Sequence, residues 1–313
     1  MTIEAEKHWS GYWHQGHLTS LPCGFASNYD GEFLRFWNEQ FAELNKGETV
    51  LDVCSGNGSI ALLAQKYSHT MDLGLHVEAV DAADIDLSYV LKKQAKLARH
   101  IQSIKFIPNT LLEDMAGESE SVGLVMSQFG VEYTNWEASA SNIFRVMKPG
   151  GRLSLVCHSC DSTIMKQMES QCAEYAQLLG VDIFSQDFES KNREDFSSKF
   201  AGELNAALNA IYGIFKQRPS KLLSDVGSRL EEIHKLTLEN FDAGLPAFLN
   251  FKQGLEISHQ ISEDLLAVNY AMRNSPRWYE AFSEAGLDLV RTGDIHYQTG
   301  EMAGIFYEFN KAI

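Results

Sequence analysis

The chain has 313 residues, with 42 Asp and Glu against 26 Lys and Arg, a formal net charge of −16 and a pI near 5.0. That length fits one large domain or a core with a substantial addition, and 44% hydrophobic against 22% charged residues excludes a disordered chain. The acidic balance gives no footprint for the phosphates of DNA or RNA and argues equally against a polybasic membrane contact.

Met1 to Ser10 has no basic stretch followed by an apolar run, so no signal peptide is expected. No segment approaches the ~18 apolar residues that a membrane-spanning helix needs. Five cysteines (Cys23, Cys54, Cys157, Cys160, Cys172) are scattered and odd in number, unlike a secreted disulfide framework. These features predict a cytoplasmic protein.

In chain order, Trp9 to His17 is aromatic and broken by glycine, the composition of a lid, and residues 1–30 are assigned to an N-terminal lid segment. Glu32 to Leu44 places Phe33, Phe36, Trp37 and Phe41 on one helical face. Thr49–Val53 reads as a buried strand, Ser59–Tyr67 as a helix and His76–Val80 as a second strand. Asp84–Arg99 reads as a helix capped by Asp84, with Asp86 in its first turn. Ile104–Ile107 and Ser121–Ser127 read as strands three and four. Thr134-Asn135-Trp136-Glu137 has the form of a capping box, opening a helix that ends near Lys148. Pro149-Gly150-Gly151 is a turn before a fifth strand, Arg152–Cys157. Strands alternating with helices predict a doubly wound, mostly parallel sheet with helices on both faces.

Beyond Cys157 the pattern changes. From Asp161 to about Arg273 only helical periodicity remains, with breaks near Gly180–Asp182, Arg218–Ser220 and Gly244–Pro246. A helix from Pro276 to Ala285 then precedes two strand-like runs, Leu287–Tyr297 and Ala303–Asn310, with no helix between them, so they should pair antiparallel. The expected fold is therefore an α/β domain with a seven-stranded sheet (31–160 and 274–313) and a helical insertion (161–273) between strands five and six.

The informative segment is Val50-Leu51-Asp52-Val53-Cys54-Ser55-Gly56-Asn57-Gly58-Ser59-Ile60-Ala61, a strand leading through a glycine turn into a helix. Glycines there let backbone N–H groups approach a ligand, and the helix N-terminus favours negative charge. Gly56-x-Gly58-x-x-Ala61 fits a dinucleotide fingerprint only loosely. Asp52 turns the reading away from NAD, because a carboxylate at the strand end repels a pyrophosphate and suits a cationic ligand. Asp81, ending strand two, is placed to accept hydrogen bonds from a ribose.

With VEAVDAAD after strand two, SVGLVMSQFGVEY around strand four and FRVMKPGGRLSLV leading into strand five, the chain resembles the class I S-adenosylmethionine-dependent methyltransferases over about residues 30–157 and 276–313. The resemblance implies a Rossmann-like fold and S-adenosyl-L-methionine as cofactor. It implies that Asp52 lies near the amino-acid end of that cofactor, with Cys54, Gly56, Asn57 and Gly58 passing under it. Asp81 would take the ribose hydroxyls and Ala82 would lie beside the adenine. Asn109, Thr110 and Leu111 stand at the adenine pocket, with Asn109 at the adenine edge as an amide. Ser127, Gln128 and Phe129 would border the methyl group and the acceptor. Two positions depart from the family pattern: Cys54 replaces the first glycine of the turn, and Gly123 stands where an Asp commonly opens strand four.

A general base is needed only if the acceptor must lose a proton. The candidates are His158, Tyr133 and His14, with His17 a further one if the N-terminal segment folds over the cofactor. Each has a plain alternative as a structural or surface side chain. Cys157-His-Ser-Cys160 contains a CxxC, but Cys172 supplies no second pair, so no metal site is expected. Between Asp161 and Ala285, 12 basic residues face 19 acidic ones, a poor surface for a phosphate backbone. Phe184, Phe188, Phe196, Phe200, Tyr212 and Phe215 suit either a lid over a partly apolar small molecule or the insertion's own core. The sequence thus predicts a methyltransferase acting on a small-molecule substrate held under a helical cap. A methyltransferase acting on tRNA or protein, and a binding protein without transfer activity, are the alternatives.

Overall fold

The computed structural model describes residues 3–20, 27–186, 193–297 and 300–313. Cys23 and Phe188 lie outside the described residues, as does the side chain of Phe196.

Five strands lie parallel: β1 (Thr49–Val53), β2 (His76–Val80), β3 (Ile104–Ile107), β4 (Val122–Gln128) and β5 (Met147–Cys157). β6 (Leu287–Tyr297) and β7 (Glu301–Lys311) complete a seven-stranded sheet of order β3-β2-β1-β4-β5-β7-β6, with β7 antiparallel to both neighbours. The strand centres are apolar because both faces are covered, and successive residues serve opposite faces. Val50, Leu124, Met126 and Val156 join one core with Phe33, Trp37, Phe41 and Ile60. Leu51, Val125, Leu153 and Leu155 join the other with Ile143 and Phe282.

The helices of this part are α1 (Ile3–Trp13), α2 (Gly31–Ala42), α3 (Ser59–Thr70), α4 (Ser88–Lys93), α5 (Ala98–Ile101) and α6 (Trp136–Val146). After β5 come α7 (Thr163–Leu179), α8 (Asp182–Ser185), α9 (Arg193–Gln217), α10 (Lys221–Glu239) and α11 (Phe241–Asn274), and α12 (Glu280–Glu284) precedes β6. The insertion thus falls between β5 and β6. The chain divides into two compact units, residues 1–166 with 264–313, and residues 167–263. The second unit has its own core, in which Phe184, Phe200 and Phe248 pack ring against ring among Leu204, Ile211 and Leu230. No helix among the described residues is long and apolar enough to cross a membrane.

Local details depart from the sequence expectations. The helix predicted from Asp84 begins at Ser88 and breaks at Gln94, giving α4, a single 3-10 turn and α5. Asp84 caps nothing: its N–H donates to Ser10 Oγ, while Asp86 accepts from Ser88 N at 2.9 Å. Asn135, not Thr134, caps α6, accepting from Ala138 N at 3.0 Å. The break predicted at Gly244–Pro246 lies at Asn240. Pro246 lies inside α11, in its second turn, and Gly244 lets the preceding turn approach Thr237 of α10. The Pro149-Gly150-Gly151 turn is absorbed into β5 as a bulge, where the register against β4 shifts between Val122 and Leu124. The helix expected over 276–285 is reduced to α12, preceded by turns.

Candidate functional site

β1, β2 and β4 end side by side, and their carboxyl ends carry the chemically distinctive residues. Cys54 follows β1 with φ +53°, and Phe129 follows β4 with φ +56°. Left-handed backbone in two bulky residues costs on the order of 1–3 kcal/mol each and clusters at functional sites. The left-handed turn explains why glycine suits the position of Cys54. Gly130 lets the two turns meet, since a β-carbon there would stand 2.5 Å from Cys54 Cβ.

Two cavities open around these turns. The first is lined by Trp9, Trp13, Ser20, Tyr29, Cys54, Ser55, Ser59, Asp81, Gln128, Phe129, Gly130 and Tyr133. The second is lined by Cys54, Val80, Asp81, Ala82, Thr110, Leu111, Leu112, Glu113 and Thr134. Cys54 and Asp81 belong to both.

Asp81 Oδ2 accepts from Gly56 N at 2.6 Å and Oδ1 from Ala83 N at 2.8 Å, so the carboxylate holds the glycine turn against its own loop. Burial pushes its pKa up to about 6 against the pull of those two backbone donors. Asp52 is 1% exposed and its Oδ2 accepts from Ala61 N at 2.9 Å, occupying a first-turn amide of α3. Burial, followed by the nearby Asp81 charge, raises Asp52 to about 8 despite the hydrogen bond from Ala61. Burial also pushes the Tyr29 phenol up to about 12, with the Asp52 charge adding to the rise. The Cys54 thiol is raised well above its ordinary value by burial and by the charges of Asp81, Glu113, Glu132 and Asp52. Acidic groups therefore converge on this point, and among the described residues no Lys, Arg or His lines either cavity.

The N-terminal segment lines the first cavity with Trp9 and Trp13. Trp9 meets Tyr133 edge-on at 5.7 Å, and Trp13 packs against Gly56. Asn57 Nδ2 donates to Trp13 O at 3.0 Å and His17 O at 2.6 Å, tying the segment to the glycine turn.

Of the residues singled out from the sequence, Cys54, Asp81, Gln128, Phe129 and Tyr133 meet at the first cavity, and Ala82, Thr110 and Leu111 join Cys54 and Asp81 at the second. Asp52, Gly56 and Asn57 lie behind or beneath that surface. Gly58 faces Phe106, whose ring a β-carbon would meet at 2.6 Å. Ser127 is fully buried, with its Oγ unpartnered. Asn109 is exposed and turns its Nδ2 to Asp84 Oδ1 at 3.5 Å, away from both cavities. His14 stacks on Tyr89 at 4.9 Å and reaches Asp84 at 3.5 Å, also outside them. Burial, then the nearby Lys93, lowers the pKa of His17 to about 4.

His158 lies one layer behind the cavity wall, its ring 4.5 Å from that of Phe129 and 6.3 Å from that of Tyr133. Its Nδ1 is 2.7 Å from Glu132 Oε1, which also accepts from His158 N at 2.9 Å. Glu132 has no exposed side-chain surface, and its Oε2 is unpartnered, as is the buried Tyr133 hydroxyl.

Glu132 and Glu113 escaped the sequence reading. An acidic residue in the turn after a strand looks solvated, and only the packing of β5 and α6 over these turns buries them. Trp9 and Trp13 carried a compositional signal as lid aromatics. Nothing in their spacing pointed to Tyr133 or Gly56 as their contacts.

The pattern fits S-adenosyl-L-methionine better than a dinucleotide. Asp52 already takes the Ala61 amide at the start of α3, where a phosphate would otherwise bind. An acidic pocket with an unpartnered phenol suits a cationic ligand bearing hydroxyl and amino groups. A model of the ubiE/COQ5 methyltransferase family matches residues 32–190. No curated protein sequence matches the chain. Similar solved structures include geranyl diphosphate C-methyltransferase from Streptomyces coelicolor A3(2), 10% identical over 90% of this chain and 75% of that one, with a TM-score of 0.42. Phosphoethanolamine N-methyltransferase 2 of Haemonchus contortus is 14% identical at a TM-score of 0.41, and the match covers 98% of this chain but 57% of that one. A methyltransferase from Bacillus halodurans C-125 is 13% identical over 90% of this chain and all of its own, with a TM-score of 0.43.

Proposed function

The chain belongs to the ubiE/COQ5 methyltransferase family, and on that premise we propose that it transfers a methyl group to a small-molecule acceptor bound among the aromatic residues of the first cavity. It is an S-adenosyl-L-methionine-dependent methyltransferase. The sulfonium donor, when bound, supplies an electrophilic methyl group. The protein's part is to orient the reactants and exclude water, and such positioning is worth on the order of 7–11 kcal/mol in favourable cases.

We assign the ribose to Asp81, whose two oxygens each retain a lone pair beyond their bonds to Gly56 N and Ala83 N. Asp52 acts from behind the surface, holding the start of α3 and, in the ionised form that a bound cation favours, lending negative potential toward the donor's positive charge. Cys54, Gly56 and Gly58 shape the turn. Ala82, Thr110 and Leu111 wall the second cavity, while Gln128 and Phe129 wall the acceptor side above Ser127. Gln128 is held by Trp37, whose indole N–H donates to its Oε1 at 2.6 Å.

Proton handling falls to His158 and Tyr133 in this reading. With Nδ1 of His158 turned to Glu132 Oε1, Nε2 is the ring nitrogen left for proton transfer. Tyr133 brings an unpartnered hydroxyl to the cavity itself. His14 has no part in this assignment.

The observation that carries the small-molecule reading is the aromatic lining of the first cavity by Trp9, Trp13, Tyr29, Phe129 and Tyr133, rings that suit a partly apolar small acceptor better than a polymer backbone. We ascribe acceptor choice further to the helical insertion, whose acidic surplus disfavours tRNA. A cytoplasmic setting, in keeping with the composition, belongs to the same proposal. The test incubates the enzyme and methyl-labelled donor with a cell extract split by size. Label entering the small-molecule fraction is the expected result. Label confined to protein or tRNA favours the macromolecular reading.

A further inference from the structure

Positive charge gathers in one region of this acidic protein. From residue 87 to residue 112 the sequence holds Lys92, Lys93, Lys96, Arg99 and Lys105, with no Asp or Glu. Lys105 pairs with Glu78 at 3.0 Å. The other four lie exposed on α4, the 3-10 turn and α5, and α3, which packs against α5, adds the half-buried Lys66. Among the described residues, none of these five cations has a carboxylate within ion-pair distance. Arg99 spends one N–H on His69 Nε2 at 2.7 Å, and Lys92 sits over the Tyr89 ring at 4.7 Å. Burial, then the charge of Lys96, pushes the Lys66 ammonium down, and burial followed by Lys66 and Arg99 does the same to His100. Cations in the last turns of α4 and α5 offset the carbonyl ends of those helices, as His69 does for α3. Three such ends carry roughly half a negative charge each, so most of the five full positive charges stay uncompensated. Taking these five from 26 leaves 21 basic against 42 acidic residues, so the remainder of the chain stands at −21. None of the five lines either cavity.

We propose that residues 92–99 with Lys66 form a docking surface for a short acidic segment of a partner protein. Residues 92–99 rise about 12 Å as helical backbone, a length that about four extended residues cover. A segment of that size stays over the cations. A nucleic acid or an anionic bilayer reaches farther and comes within a Debye length, ~8 Å, of the acidic remainder, which repels it. None of the exposed large apolar side chains falls between residues 87 and 105, so the surface offers charge without an apolar anchor for a bilayer.

The test is fluorescence anisotropy of the intact protein with a labelled hexaglutamate peptide, with polyuridine and phosphatidylserine vesicles as competitors. Wild type should bind the peptide saturably, about tenfold more weakly at physiological than at low salt, and neither competitor should displace it at equal charge concentration. Lys92→Gln, Lys93→Gln, Lys96→Gln and Arg99→Gln combined should weaken the peptide by at least about tenfold. A control removes the same charge at four cations that already have carboxylate partners, Lys46→Gln, Lys105→Gln, Lys221→Gln and Arg229→Gln. It should bind within about twofold of wild type. Equal losses in the two variants overturn the proposal, as does the lack of saturable peptide binding to wild type. Displacement by polyuridine or by vesicles gives the surface to a phosphate polymer or a bilayer and overturns it too. If the combined variant does not fold, amide NMR of the wild-type protein with the same peptide decides. Shifts gathered at residue 66 and residues 92–100 support the proposal, and shifts gathered elsewhere overturn it.

Discussion

The Trp13 indole lies against the α-carbon of Gly56, where any β-carbon would overlap the ring. Gly56 also holds φ +53°, so it serves both the turn and the closure of the N-terminal helix. Gly56→Ala is therefore expected to push α1 off the glycine turn and to cost about 1–3 kcal/mol of stability. Limited proteolysis should then cut the N-terminal segment faster than in wild type. Trp13→Ala combined with Gly56→Ala should recover part of the loss, because the two residues share one contact. Strict additivity of the two changes would separate them.

Asp52 and Asp81 give stability a definite pH dependence. A carboxyl whose pKa rises on folding stabilises the fold below its unfolded value, and that contribution is lost as pH climbs through the folded value. The unfolded value is near 3.8, and the folded values are about 6 for Asp81 and about 8 for Asp52. The unliganded protein should lose stability progressively from about pH 4 to about pH 8 through these two groups. Asp52→Asn should flatten the upper half of that decline, by on the order of 1 kcal/mol per pH unit. Chemical denaturation at pH 5, 6, 7 and 8 checks it, and a decline unchanged by Asp52→Asn would remove Asp52 as its source.

The same charge should appear in donor affinity. Binding a cation favours the ionised form of Asp52, so affinity for S-adenosylmethionine should rise between pH 6 and pH 8 more than affinity for neutral S-adenosylhomocysteine. Asp81→Ala should weaken both by about 1–3 kcal/mol through loss of charged hydrogen bonds. Titration calorimetry at the two pH values measures each effect.

Glu132 receives two hydrogen bonds from His158 and is wholly buried. His158→Leu removes one donor and should cost about 2–4 kcal/mol of stability, since a buried carboxylate is left short of partners. Methyl transfer should fall through kcat, with donor affinity within about twofold of wild type. Glu132→Gln with His158→Leu should be more stable than His158→Leu alone. A variant with full kcat would leave the pair a purely structural role.

The strand rhythm made the sheet legible. Thr49–Val53, His76–Val80, Ile104–Ile107 and Leu287–Tyr297 have the ends expected from their apolar runs, because each run is bounded by turn residues. The helix read from Asp84 was less legible: its charges and apolar spacing suggested one element, whereas Gln94 takes a non-helical φ of −137° and divides it. The glycine turn was readable as a turn, since Asp52, Cys54 and Gly56 are close in sequence, while Asp81 meets it only through the pairing of neighbouring strands. Glu113, Glu132 and the Trp13–Gly56 contact were not. Each depends on chain segments 22 to 43 residues apart, and no periodicity encodes which turn will cover which side chain.

The central claim is that the acidic junction at Cys54 and Asp81 binds a cationic methyl donor. Titration of the wild-type protein with S-adenosylmethionine and, separately, with NAD tests it most directly. The expected result is saturable binding of S-adenosylmethionine at one site per chain and none of NAD at the same concentrations. Binding of NAD in preference to S-adenosylmethionine would contradict it.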